Sequence, residues 1–174
     1  MSILESKDLA ADAVRVYQEG DFESAARLFG DAASAFQAQD KALDAAEMKN
    51  NQCVALLRGG NAQGSFDVAQ GTAEIFSAAG DFRREGMAWG NQATAFEALG
   101  RMEDAISSYR QAVAAFEKVG EDQLRASVLQ AVAGIQLRRG KIMEALLSMQ
   151  IGLAGVKQPT FKQKILLILL RFRA

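Results

Sequence analysis

Gly20, Gly60, Gly100 and Gly140 stand forty residues apart in a chain of 174, and the sequence between them repeats without insertion or deletion. Cut at that period, the chain gives units 1–40, 41–80, 81–120 and 121–160, with 161–174 left over. The columns then align. One holds small residues (Ala13, Cys53, Ala93, Ala133), as does a second (Ala25, Ser65, Ala105, Ala145), and a third holds large apolar ones (Phe36, Phe76, Phe116, Val156). Small residues recurring at fixed sites mark close helix approaches, and large ones fill the space beside them. Each half-unit shows the three-to-four periodicity of an amphipathic helix between turn residues. The four glycines end the first helix of each pair, where a left-handed backbone is cheap for Gly. Asp40, Gly80, Gly120 and the Pro159–Thr160 pair are expected to end the second. A lone helical hairpin cannot bury its apolar face, so successive units must stack into one solenoid.

Trp89, Ala93, Phe96, Gly100, Ala105, Tyr109 and Ala112 carry, at its spacing, the signature of the tetratricopeptide repeat (TPR). The first unit keeps Ala13, Gly20, Ala25, Phe29 and Ala32, and the fourth keeps Ala133, Gly140 and Ala145. The usual TPR unit has about 34 residues. The chain resembles the longer forty-residue subclass, seen in kinesin light chains and heterotrimeric-G-protein regulators. The resemblance implies an all-α, right-handed superhelical solenoid of four TPR hairpins plus a C-terminal helix. It says little about the partner, because one scaffold hosts many functions.

The chain is large enough for one sizeable core, with 49% hydrophobic residues and a net charge of −1. Its charges are interspersed, with no basic stripe for nucleic acid and no acidic tail. The N-terminal segment lacks the basic start and apolar run of a secretory signal, and a single cysteine fits a reducing cytoplasm. Cys53 is the single cysteine and sits in a small-residue column, so it reads as a buried structural thiol. Histidine is absent, which removes the commonest general base, imidazole-dependent triads and most zinc or iron sites. The nearest carboxylate pairs, Glu103–Asp104 and Glu121–Asp122, fall where acidic residues complement helix starts. Gly59–Gly64 has glycines but no Lys and no preceding strand, so it is no phosphate loop. The expectation is a non-enzyme without metal or cofactor.

In TPR arrays the first helix of each hairpin lines the concave face. By that resemblance the groove consists of Lys7, Ala10, Ala11, Val14 and Tyr17, then Glu47, Asn50, Asn51, Val54 and Arg58. It continues through Met87, Gly90, Asn91 and Thr94 to Ser127, Gln130, Ala131 and Arg138. Asparagine is a mediocre helix former, so Asn50, Asn51 and Asn91 within helices call for a reason. Their amides either bond an extended peptide or bond a neighbouring repeat and fix the stacking. TPR cochaperones that hold acidic heat-shock-protein tails use a clamp of Lys, Asn, Asn, Lys and Arg on three consecutive repeats. Here Ala10, Val14 and Met87, or in the next frame Asn50, Val54 and Ser127, occupy clamp positions, which argues against heat-shock tails. Arg58 and Arg138 remain available for single acidic groups.

Unit two departs most from the pattern: Gly64, Ser65, Ala69, Gly71 and Thr72 make its second helix the least stable. Such a stretch marks either close neighbours or a soft point in the superhelix. After Pro159 the segment 161–174 carries six consecutive aliphatics, Ile165 to Leu170. If it continues the repeat, Leu166 and Leu169 pack on unit four while Phe161, Ile165, Ile168 and Phe172 point outward. The run is too short to span a bilayer, which needs about 20 apolar residues. Three readings remain open for it: a homodimer interface, burial within the monomer, or contact with a membrane surface or another protein. The functional expectation is a scaffold that binds a peptide or protein segment in its groove and self-associates through the C-terminal helix. The alternative is a structural or membrane-peripheral assembly factor acting through that helix.

Overall fold

The computed structural model describes residues 3–160, 163 and 164, and among them there is no strand. Nine helical segments follow in order: α1 (Ile3–Gln18), α2 (Phe22–Gln37), α3 (Ala42–Arg58), α4 (Ala62–Ala69), α5 (Thr72–Ala78), α6 (Phe82–Ala98), α7 (Met102–Val119), α8 (Asp122–Arg138) and α9 (Ile142–Leu153). They form four helical hairpins, α1–α2, α3–α4/α5, α6–α7 and α8–α9, stacked side by side.

The two small columns are where each hairpin closes. Ala13, Cys53, Ala93 and Ala133 are wholly buried, as are Ala25, Ser65, Ala105 and Ala145. Adding methylenes at such sites typically costs about 1–3 kcal/mol. In unit two the meeting is polar: the Ser65 hydroxyl donates to the Cys53 carbonyl at 3.0 Å and lies 3.0 Å from its Sγ. Phe36, Phe76 and Phe116 are buried beside these contacts. Consecutive hairpins share core. Val132 and Ile135 of α8 join Ile106 and Tyr109 of α7, and Ala55 of α3 joins Ala26 and Phe29 of α2. The matching sites in α1, Asp12 and Arg15, are polar and exposed, and among the described residues no hairpin lies against that face.

Gly20, Gly60, Gly100 and Gly140 all have positive φ, between 73° and 88°, and close the first helix of each pair. Asp40 (φ 56°), Gly80 and Gly120 do the same for the second helix of the first three units. Unit four differs from expectation: α9 ends at Leu153, well short of Pro159, and Gly155 (φ 89°) takes the turn. The cause is Arg125 of α8, whose guanidinium donates to the carbonyls of Ile151 and Ala154 and seals the helix end. Val156 therefore lies outside the helix and is half-buried.

The second helix of unit two also differs from the continuous helix expected. It breaks at Gln70, which is extended (φ −60°, ψ 133°), and Gly71, which is left-handed (φ 78°). Thr72 restarts it, donating its hydroxyl to the Ala69 carbonyl at 2.7 Å. A positive φ strains any residue with a Cβ, so Gly71 permits the break.

Candidate functional site

The first helices α1, α3, α6 and α8 stand side by side, and polar bridges tie α3 to α6 and α6 to α8. Asn91 donates from Nδ2 to Asn50 Oδ1 at 2.8 Å, and Arg84 pairs with Glu47 at 3.4 Å. Arg83 pairs with Glu121 at 2.8 Å, and Arg138 pairs with Glu97. Glu97 also accepts from Tyr109 Oη, which lies 3.3 Å from the Thr94 hydroxyl. Burial raises the Tyr109 phenol above its usual range.

The same surface also opens into two apolar concavities. One, of about 260 Å³, lies between α1 and α3 and is lined by Val14, Tyr17, Asn51 and Val54 over a floor of Phe29. The other, of about 290 Å³, lies between α6 and α8, with Met87, Gly90 and Asn91 on one wall and Ser127 and Ala131 on the other. Tyr109 and Phe116 floor it. Val14 (43%) and Met87 (38%) expose more apolar surface than their core neighbours and stand at the two openings. At Gly90 an added Cβ would meet nothing within 4 Å, so the backbone there faces open space.

The structure thus joins Tyr17 with Asn51, and Met87 with Asn91, but distributes the other expected residues differently. Asn50 is buried and its carbonyl oxygen is committed to Asn91. Glu47 and Arg138 are held in ion pairs with the neighbouring repeat. Arg58 stacks over the Phe22 ring, 5.2 Å from its centroid, while Phe22 meets Tyr17 edge-on at 5.3 Å. Gln130 lies elsewhere, in a concavity of about 300 Å³ at the open side of α8 and α9. The expected outward stripe Phe161, Ile165, Ile168 and Phe172 lies outside the described residues.

Sequence reasoning missed the floors Phe29, Tyr109 and Phe116, which come from second helices. It also missed an apolar stripe on α9. Met143 (74%), Leu147 (55%) and Ile151 (45%) are exposed along one face of that helix. The same columns in the first three units hold Glu23, Gln63 and Glu103, then Arg27, Asp67 and Ser107, then Asp31, Gly71 and Gln111. That switch from polar to apolar in the last repeat was the available signal.

This is a TPR-like helical-repeat solenoid, and solved structures share it. BtubC (BKLC) from P. vanneervenii superposes with a TM-score of 0.75 at 18% identity, over 94% of this chain and 69% of that one. A putative kinesin light chain from Podosopora anserina with nearly identical TPR-like repeats gives 0.72 at 15% identity, over 95% and 93%. A singly substituted form of that same light chain gives 0.73 at 15%, over 95% and 92%. The chain belongs to the soluble NSF attachment protein (SNAP) family, whose model matches residues 3–150. A comparison with curated proteins returned no match. No helix among the described residues is long and apolar enough to cross a membrane.

Proposed function

We propose that this chain is a cytoplasmic, non-catalytic scaffold that holds a peptide or protein segment against the face formed by α1, α3, α6 and α8. The observation that carries the reading is the pair of apolar concavities between first helices, with Val14 and Met87 exposed at their openings. Covering the exposed part of each side chain contributes under half of the roughly 1.5–3 kcal/mol that complete burial gives. Asn51, half-buried at the first opening, offers an amide to a partner backbone. The family's description names attachment to another protein, which accords with this reading.

The test is affinity capture from native cell extract with three baits: wild type, Val14→Asp with Met87→Asp, and a control with exposed Glu23→Gln. Circular dichroism checks that each bait is folded. Loss of one specific partner by the groove variant alone supports the proposal. Retention of every partner by that variant sinks it.

Self-association at the C-terminal end is a second reading, favoured by the α9 stripe. A closed two-fold contact would cover Met143, Leu147 and Ile151 of both copies. Light scattering decides: a dimer that becomes monomeric on Leu147→Glu supports this reading, and a monomeric wild type removes it.

A further inference from the structure

Met143, Leu147 and Ile151 stand four residues apart on α9, so they form one row along the helix. The row is not a stacking face. Its columns stay exposed in the first three units, although a further hairpin follows each of them, so an added unit would not cover it. Nor does it belong to the groove, because no residue of α9 lines either concavity between the first helices.

The exposure of the row is graded, from 74% at Met143 through 55% at Leu147 to 45% at Ile151. It stands out from the surface at its start and is recessed at its end.

Charge decides what kind of surface fits it. Glu144 is the one ionisable residue of α9. The cations that flank the start of the helix are already neutralised, Lys141 by Glu144 at 3.2 Å and Arg139 by Glu103. An anionic lipid surface is held by Lys and Arg beside the apolar row, and here it would meet a carboxylate instead. The row complements a surface that is apolar and uncharged, as it is itself.

We infer that its occupant is the same row of a second copy of this chain, set antiparallel about a two-fold axis at Leu147. The inference rests on the self-association reading and supplies its arrangement. Antiparallel pairing sets the prominent Met143 of each copy beside the recessed Ile151 of the other, and the unbranched Met side chain adapts to that fit. Parallel pairing would bring the two prominent ends together, hold the recessed ends apart and align both helix dipoles. Two rows of residues four apart also interdigitate in the commonest class of helix packing, with axes crossing at about 50°. Both grooves stay uncovered in such a pair, since α9 takes no part in them.

The test is cross-linking of full chains with a short bismaleimide, and wild type is the blank because Cys53 is buried. A chain carrying Met143→Cys is mixed with one carrying Ile151→Cys, and peptide mapping reads the links in the dimer band. The 143–151 link is expected at least fivefold above the 143–143 and 151–151 links. A dominant 143–143 link, equal yields of all three, or no link between chains would overturn the inference. Light scattering on the wild type separates the two readings. A monomer removes self-association and this arrangement together, whereas a dimer with a dominant 143–143 link removes the arrangement alone. Flotation with vesicles of phosphatidylcholine and phosphatidylserine tests a lipid occupant. Wild type is expected to stay with the soluble fraction, and flotation that Leu147→Glu abolishes would overturn the second copy as occupant. The column of Leu147 holds Arg27, Asp67 and Ser107 in the other units, so a charge there is compatible with folding.

Discussion

Asn91 of α6 donates to Asn50 of α3 across the seam between two repeats, at 2.8 Å. The two ends of this bond are not equivalent, because Asn50 is buried and Asn91 is half-buried. Asn91→Ala strands a buried acceptor, and the cost is about 1–3 kcal/mol. Asn50→Ala leaves a donor that water reaches, so its loss is smaller. Urea denaturation of both single variants and the double closes the cycle, with an expected coupling of about 0.5–1.5 kcal/mol. Additive losses would mean that the bond contributes nothing to stacking.

Two glycines separate backbone strain from helix propensity. Gly71 sits at φ 78°, so Gly71→Ala places a Cβ in the left-handed region and costs about 1–2 kcal/mol even with open space around it. Gly90 lies inside α6, also with nothing within 4 Å, and Gly90→Ala is expected to stabilise by up to about 1 kcal/mol. Thermal melts of the pair should move in opposite directions. A Gly71→Ala melt at or above that of the wild type would show that the break is not held by its backbone angle.

The small columns were legible because each is a steric requirement repeated four times, and all eight members are wholly buried. The break in unit two was legible only as weakness: Gly64, Gly71 and Thr72 lower helix propensity, but nothing in the pattern singles out Gln70, which turns extended between α4 and α5. The early end of α9 was hidden for a similar reason, since Arg125 reaches its carbonyls from another helix. In the candidate site the first-helix residues were readable from their columns, whereas their partners lie a repeat away. Complementary pairs one residue past the period, Asn50 with Asn91 and Glu97 with Arg138, were a signal available in the sequence. The aromatic floors Phe29, Tyr109 and Phe116 stand on second helices, outside the first-helix columns.

Burial holds the Cys53 thiol above its ordinary range, opposed in part by the contact with Ser65. The sign follows from linkage. Above the unfolded thiol pKa of about 8.5 the unfolded chain releases a proton that the folded chain keeps, so stability falls as pH rises. This contribution is complete below that value and is lost as pH climbs through the folded one. Between pH 8 and 10 the wild type should therefore lose more stability in urea than Cys53→Ala does. Parallel losses would show that the thiol does not titrate differently on unfolding. Thiol reagents should reach Cys53 only as the domain opens, with labelling accelerated by sub-denaturing urea.

Arg125 is the one guanidinium among the described residues that is both buried and bonded to the end of a helix. It donates to the carbonyls of Ile151 and Ala154, and Asp122 and Glu117 balance its charge at 3.6 and 3.8 Å. Hydrogen bonds to charged groups contribute about 1.5–3 kcal/mol. Arg125→Leu removes them while leaving two carbonyls and a half-exposed Asp122 without their donor, so a loss of about 2–4 kcal/mol is expected in the fourth unit. Arg125→Lys should recover little of it, because one ammonium cannot span two carbonyls as a planar fork does. Hydrogen exchange localises the effect: amides of α9 should lose protection while those of α2 and α3 keep theirs. Full rescue by Lys, or equal loss along the whole chain, would show that Arg125 acts as a general charge rather than as the clasp that ends α9.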